Sequence, residues 1–230
     1  MPNTMKTLAI VSRKGGAGKT TISTHLAVAA EALGIVSALF DLDPQASAAI
    51  WADHRGESFP AVMPAQYPRL ASLLKQAAAQ GAGLVILDTP PEADTIASAA
   101  AEHADAILIP CRPSALDLDA IGASVRIARA VGKSPFVVIN AAPIQGIEVE
   151  EMRAALLAGG VEVAPIVLHH RKAFSARMQE GRTATETEPK GKAAEEVRAL
   201  LLWVCEKVGM LHREQITELT NKQVTHGRSA

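Results

Sequence analysis

Aromatic side chains are scarce in this sequence: Phe, Trp and Tyr together make up 3% of 230 residues. A core without rings must be built from Ala, Val, Leu and Ile, which argues against all-β sandwiches and aromatic base-stacking modules and favours helices layered on a parallel sheet. Cysteine is nearly absent as well. Cys111 and Cys205 lie far apart with no C-x-x-C spacing, which excludes a disulfide scaffold or a zinc knuckle and points to a reducing compartment. Neither sign of charge dominates, since 23 Lys and Arg face 24 Asp and Glu. A nucleic-acid role would therefore need a local patch. No apolar run approaches the roughly eighteen residues that span a bilayer. Only Met1 to Thr4 precede the first strand-like run, too little for a secretory signal or a preceding winged-helix domain. A cytoplasmic chain is expected. With 48% hydrophobic residues it can build one sizeable core.

Short apolar runs alternate with longer Ala- and Leu-rich stretches of helical period. Strands are predicted over Lys6–Ser12, Ile35–Asp41, Leu84–Asp88, Ala106–Pro110 and Phe136–Asn140, with a last one over Val161–Leu168 interrupted by Pro165. Helices are predicted over Lys19–Leu33, Gln45–Arg55, Arg69–Gln80, Glu92–His103, Leu116–Val131, Glu148–Ala158 and Lys190–Val208. The proline-rich stretch Gly56–Pro68 reads as connection, with room for a short edge strand. Strands apolar on both faces, each followed by a helix, imply an α/β fold: one domain over residues 1–208, a mostly parallel twisted sheet with helices on both faces. Residues 209–230 read as a polar, flexible tail.

Between the first strand and first helix stands Lys14-Gly15-Gly16-Ala17-Gly18-Lys19-Thr20-Thr21. Glycines there let backbone N–H groups approach phosphate oxygens, and the following helix adds its positive end. In such a P-loop Lys19 bridges the β- and γ-phosphates and the Thr20 hydroxyl coordinates Mg²⁺. Two acids, Asp41 and Asp43, close the second strand within Asp41-Leu42-Asp43-Pro44-Gln45. Spaced two apart, they can face one site, although Asp43 could equally cap the next helix. Val85-Ile86-Leu87-Asp88 followed by Thr89-Pro90-Pro91 is an apolar strand ending in an acid, placed to hold a metal-bound water.

The loop has Arg13 where the usual G-x-x-x-x-G-K-[ST] pattern has glycine, and a second lysine, Lys14, inside it. This K-G-G-x-G-K-T form resembles the deviant Walker A motif of the ParA/MinD family of dimeric P-loop ATPases. The Asp41–Gln45 run and the Asp88–Pro91 run resemble that family's D-x-D-P-Q and D-x-P-P segments. The resemblance implies an ATP-dependent sandwich dimer in which Lys14 reaches the partner's phosphates. It places Asp41 in the Mg²⁺ shell and assigns Asp43 to the attacking water. It also implies an adenine contact from Asn140 at the end of its strand, where the residue could instead serve as a turn. Where members carry Pro-Arg near the base, this chain has Leu168-His169-His170.

The surplus of positive charge is local. Residues 169–192 hold Arg171, Lys172, Arg177, Arg182, Lys190 and Lys192 against Glu180, Glu186 and Glu188. The resemblance to small partition ATPases of the ParA type makes this stretch the candidate surface for double-stranded DNA, bound without sequence preference, with a ParB-like adaptor or cargo protein stimulating slow hydrolysis. A nucleoid-associated ATP state follows from the same resemblance. An ordinary solvated face is the plain alternative. A MinD-like membrane ATPase would need a basic amphipathic C-terminal helix, and the tail has few large apolar residues. Four cluster-binding thiolates are missing for a redox iron protein, and no substrate pocket stands out for a metabolic ligase.

Overall fold

The computed structural model describes residues 5–212 and 214–215. Seven strands form one sheet: β1 (Lys6–Ile10), β2 (Ser37–Asp41), β3 (Ala61–Pro64), β4 (Leu84–Asp88), β5 (Ala106–Cys111), β6 (Phe136–Ala142) and β7 (Glu162–His169). Their order is β3-β2-β4-β1-β5-β6-β7, and every pairing is parallel. The helices are α1 (Lys19–Ala32), α2 (Ser47–Arg55), α3 (Leu70–Ala79), α4 (Asp94–His103), α5 (Ala115–Ala130), α6 (Glu148–Ala158), the single turn α7 (Ala184–Thr187) and α8 (Lys192–Lys207).

Period-two alternation divides the core between two layers. In β1, Leu8 and Ile10 join Leu26 of α1 and Leu200 and Leu201 of α8 on one face. Ala9 and Val11 face the other side, with Leu70 and Leu74 of α3, Ala100 of α4, Val125 of α5 and Met152 of α6. β4 repeats the pattern, Leu84 and Ile86 toward the first layer, Val85 and Leu87 toward the second. Branched side chains on both faces are what a sheet covered by helices on both sides requires. The α/β class and layering predicted from the sequence are thus the observed ones.

The edges hold the differences. Gly56–Pro68 contains the edge strand β3, paired to β2 from Ala38–Ala61 to Asp41–Pro64. Pro165 does not end β7, because β7 is the opposite edge strand and needs no outward ladder hydrogen bond there. The cost is a bulge, with the register jumping from Val137–Val163 to Ile139–Val167. α2 begins at Ser47 rather than Gln45, since Ala46 sits in the left-handed region at φ 52°. The polar tail expected over 209–230 lies, past residue 215, outside the described residues. Among the described residues no helix is long and apolar enough to cross a membrane.

Candidate nucleotide-binding site

β1 is the central strand, with β4 on one side and β5 on the other. The connections lead to β2 and β4 on one side of β1 and to β5, β6 and β7 on the other, so the carboxyl ends of β1, β2, β4 and β5 open on one crevice at this switch point, the usual ligand position in an open α/β sheet. The loop from Ser12 to Gly18 leaves β1 into that crevice. Its shape depends on glycine at two places, Gly16 at φ 71° and Gly18 at φ 93°. At Gly18 a Cβ would also stand 2.3 Å from the Asn140 side-chain nitrogen. Among the described residues, the backbone N–H groups from Gly15 to Thr21 find no protein acceptor. They form a set of donors at the start of α1, which is the chemistry of an anion cradle.

Lys19 is buried and its ammonium donates to the carbonyls of Ser12 at 3.1 Å and Lys14 at 3.4 Å. Burial lowers its pKa, opposed by the nearby charges of Asp88 and Asp43. Asp88 lies opposite Ile10 of β1 and opposite Asp41 of β2 in register. One of its oxygens accepts from the Ser23 hydroxyl at 3.3 Å, while the other, Oδ2, is buried with no partner. Burial pushes its pKa up to about 7, with the Asp41 charge adding to the rise and the Thr20 and Ser23 hydroxyls opposing it. A buried carboxylate oxygen without a donor, beside the Thr20 hydroxyl, is suited to a hydrated divalent cation. The donor set therefore fits a magnesium–nucleotide complex.

Asp41, assigned to the metal shell by the family resemblance, holds three backbone N–H groups in this structure. Its Oδ1 accepts the Asp43 N–H at 3.1 Å, and its Oδ2 accepts the N–H groups of Ala48 at 2.9 Å and Ala49 at 3.1 Å. Asp41, reaching forward from the strand end, is thus the cap of α2. Burial raises its pKa against those three backbone bonds. Asp43 accepts the Gln45 N–H at 2.9 Å in a local turn, is partly exposed and stands close enough to Lys19 to act on its charge. Thr89 anchors the following loop by donating its hydroxyl to the Ile10 carbonyl at 2.8 Å.

Asn140 braces the loop: its side-chain nitrogen donates to the Ala17 carbonyl at 2.8 Å. Lys14 turns toward its own chain, where its ammonium pairs with Asp117 of α5. His169 and Arg171 share Glu196 of α8, with contacts of 2.9 and 2.8 Å. The basic stretch is more neutralised than its count implies. Arg177 pairs with Glu180, Arg182 with Glu57 and Glu186, and Lys192 with Glu195. Among the described residues, Lys172 and Lys190 have no ion-pair partner.

Sequence reasoning missed the residues that tie the loop to this basic stretch. Buried His25 of α1 donates Nδ1–H to the Thr21 carbonyl at 2.8 Å, and its Nε2 accepts the Ala184 N–H at 3.1 Å. Its ring packs on Phe174 with centroids 5.2 Å apart. Arg55, at the end of α2, donates to the Gly181 carbonyl at 2.9 Å and pairs with Glu186 at 2.8 Å. No local pattern announces such partners. A histidine at the seventh position of the phosphate-loop helix, on its inward side, was the available hint.

Residues 8–184 match the family described as CobQ/CobB/MinD/ParA nucleotide binding domain. The chain is 30% identical over 187 residues to the protein ParA of Rhizobium radiobacter, spanning 77% of this chain and 84% of that one. It is 28% identical over 204 residues to maintenance of carboxysome distribution protein A of Halothiobacillus neapolitanus, spanning 85% and 94%. Among solved structures, the septum site-determining protein MinD of Pyrococcus horikoshii with Mg-ADP superposes with a TM-score of 0.73 at 18% identity, covering 91% of this chain and 99% of that one. A Cyanothece McdA variant in complex with ATP superposes at 0.68 and 17%, covering 91% and 98%. These structural likenesses carry the fold.

Proposed function

The chain belongs to the CobQ/CobB/MinD/ParA family of P-loop nucleotide-binding proteins, and from that premise we propose that it is a small ParA-type positioning ATPase. The observation that carries this reading is the convergence at one sheet edge of two lysines on one glycine loop with Asp41, Asp43 and Asp88. The N–H groups of Gly15 to Thr21 and the Lys19 ammonium would hold the phosphates of ATP. Thr20 and Asp88 would hold Mg²⁺, directly or through water, with Asp41 behind them as the α2 cap. When bound, that ion neutralises phosphate charge and orients the terminal phosphoryl group. Asp43, free at one oxygen and next to the loop, orients the attacking water. Lys14 crosses to the facing nucleotide when two copies close, in the manner of an arginine finger. Asn140 supports the loop and, in the same place, borders the position of the adenine.

ATP closing would be read out through the stretch from Arg171 to Lys192. His25 and Arg55 connect that stretch to the phosphate loop and to α2. Lys172 and Lys190 offer unpaired charge, and the exposed pairs of Arg177 and Lys192 are weak enough for a phosphate group to displace the carboxylate. Two copies side by side would double the patch for sequence-independent DNA binding. A ParB-like adaptor or a protein cargo would then trigger hydrolysis and release. The name of the Halothiobacillus relative, maintenance of carboxysome distribution protein A, supports a role in distributing a large assembly.

The test is binding to a plasmid fragment of arbitrary sequence, with ATP against ADP, beside sedimentation with anionic liposomes. Binding to DNA with ATP only, falling steeply with salt, is expected. Glu replacement of Arg171, Lys172 and Arg177 should weaken it and flatten the salt slope. Liposome binding without DNA binding would move the chain to the membrane branch, and unaltered DNA affinity in the triple variant would place the surface elsewhere.

A further inference from the structure

Lys14 is the cation that the dimer reading sends across to the opposite nucleotide, yet in the isolated chain it is held at home. Its ammonium pairs with Asp117, whose side chain is 2% exposed while that of Lys14 is 36% exposed. Asp117 stands in the first turn of α5 and is held from several directions. One oxygen accepts the Arg112 N–H at 3.0 Å, and the other accepts the Ser114 hydroxyl at 3.3 Å. Arg112 in turn donates from its guanidinium to the Gly16 carbonyl at 2.6 Å. The turn between β5 and α5 therefore grips the glycine loop twice, once at the Lys14 side chain and once at the Gly16 backbone. None of these three residues belongs to the phosphate loop or to the acidic motifs.

We propose that Asp117 is the resting dock of Lys14, so that exchanging this carboxylate for the partner's phosphates sets the threshold for ATP-dependent closing. The proposal rests on the dimeric ATPase reading. Its chemistry is an exchange of anions for one ammonium. Before closing, a buried carboxylate takes the charge. After closing, Lys14 serves the facing triphosphate, and Asp117 keeps the Arg112 N–H and Ser114 hydroxyl as donors. A carboxylate left with two donors is stable enough to be vacated, whereas one left bare in the interior would not be. Lys14 is thereby kept from a nucleotide in its own loop, and closing is conditional on a second copy. Asp117 is a positioning residue, since it acts through Lys14.

A docked ammonium lowers the fraction of chains ready to close, and removing the dock raises that fraction. Asp117→Asn keeps the shape, can still accept the Arg112 N–H on its one amide oxygen while its NH2 donates to the Ser114 hydroxyl oxygen, and neutralises the dock. With Mg²⁺ and a non-hydrolysable ATP analogue, its dimerisation midpoint in protein concentration, followed by light scattering, should fall about fivefold relative to wild type. In nucleotide-free protein, acetylation of Lys14 followed by mass spectrometry should speed up several-fold in the variant, while Lys172 and Lys190 react as before. A merely structural role for Asp117 would raise labelling everywhere. An unchanged or higher midpoint, with wild type dimerising normally, overturns the dock. Wild type that fails to dimerise with the analogue overturns the dimer reading instead, while the labelling result still judges the Lys14–Asp117 pair. Should Asp117→Asn not fold, wild-type labelling decides alone: Lys14 reacting several-fold slower than Lys172 supports the dock, and equal rates reject it.

Discussion

Replacing His25 by glutamine should change how the fold responds to acid, by an amount that the ring's burial sets. His25 is 1% exposed, and burial lowers its pKa from 6.5 to about 4 against the Thr21 carbonyl and Glu186, which favour the charged form. Between those values the unfolded chain carries a proton that the folded chain lacks. Stability from this group is therefore full above about 6.5 and is lost as pH falls toward about 4. A gap of about 2.5 units at ~1.36 kcal/mol per unit gives ~3 kcal/mol in full, and ~2 kcal/mol between pH 7.5 and 5. Asp88 and Asp41, raised by burial, act with the opposite sign, because the folded state takes up their protons first. Subtracting the variant's profile from the wild type's cancels both.

Urea unfolding at several pH values supplies the two profiles. Near pH 7.5 the wild type should be the more stable by roughly 1–3 kcal/mol, since the Ala184 N–H and the Thr21 carbonyl lose well-placed partners. By pH 5 that advantage should have shrunk by ~2 kcal/mol, equivalent to about 4–8 °C in Tm for a chain of this size. Parallel profiles would refute a neutral, buried imidazole joining α1 to α7.

Two backbone positions make further tests. Gly18→Ala must hold alanine at φ 93° with its Cβ 2.3 Å from the Asn140 amide. It should weaken nucleotide binding at least about tenfold by displacing the Asn140 brace, and adding Asn140→Ala should restore part of the lost Tm. Gly181→Ala forces a left-handed alanine, φ 68°, onto the Arg55 backbone 2.2 Å away. A loss of ~2–4 kcal/mol in chemical denaturation is expected, and a change under about 0.5 kcal/mol would mean that the α2 contact yields freely.

The ease with which parts of this molecule can be read follows from how local their physics is. Strands show as short branched runs because both faces are covered, and α8 shows because Ala194, Val197, Leu200, Leu201, Val204 and Val208 recur at helical spacing and are all buried. The glycine loop is legible since backbone approach to phosphate demands glycine at set intervals. Pro165 misleads because the rule that proline ends a strand assumes a neighbour on both sides, and β7 has one. Asp41 is harder to place. Its role as the α2 cap depends on the turn through Asp43 and Ala46, which the strand-end pattern does not encode. Asp117, Arg55 and His25 find partners more than a hundred positions away along the chain. Each has an ordinary sequence neighbourhood, and only the topology brings the partners together. In the basic stretch, a count of charges over residues 169–192 does not include Glu195, one turn beyond Lys192 on α8, nor Glu57 and Glu196, which approach from other segments.

The account stands on one loop serving two nucleotides, so the molar mass in solution is its most direct measurement. Light scattering should give the 24.1 kDa monomer with Mg-ADP and twice that mass with Mg²⁺ and a non-hydrolysable ATP analogue, while Lys14→Ala stays monomeric with either. A wild type that remains monomeric with the analogue, or a Lys14→Ala variant that doubles its mass as readily as the parent, would contradict the shared-site claim.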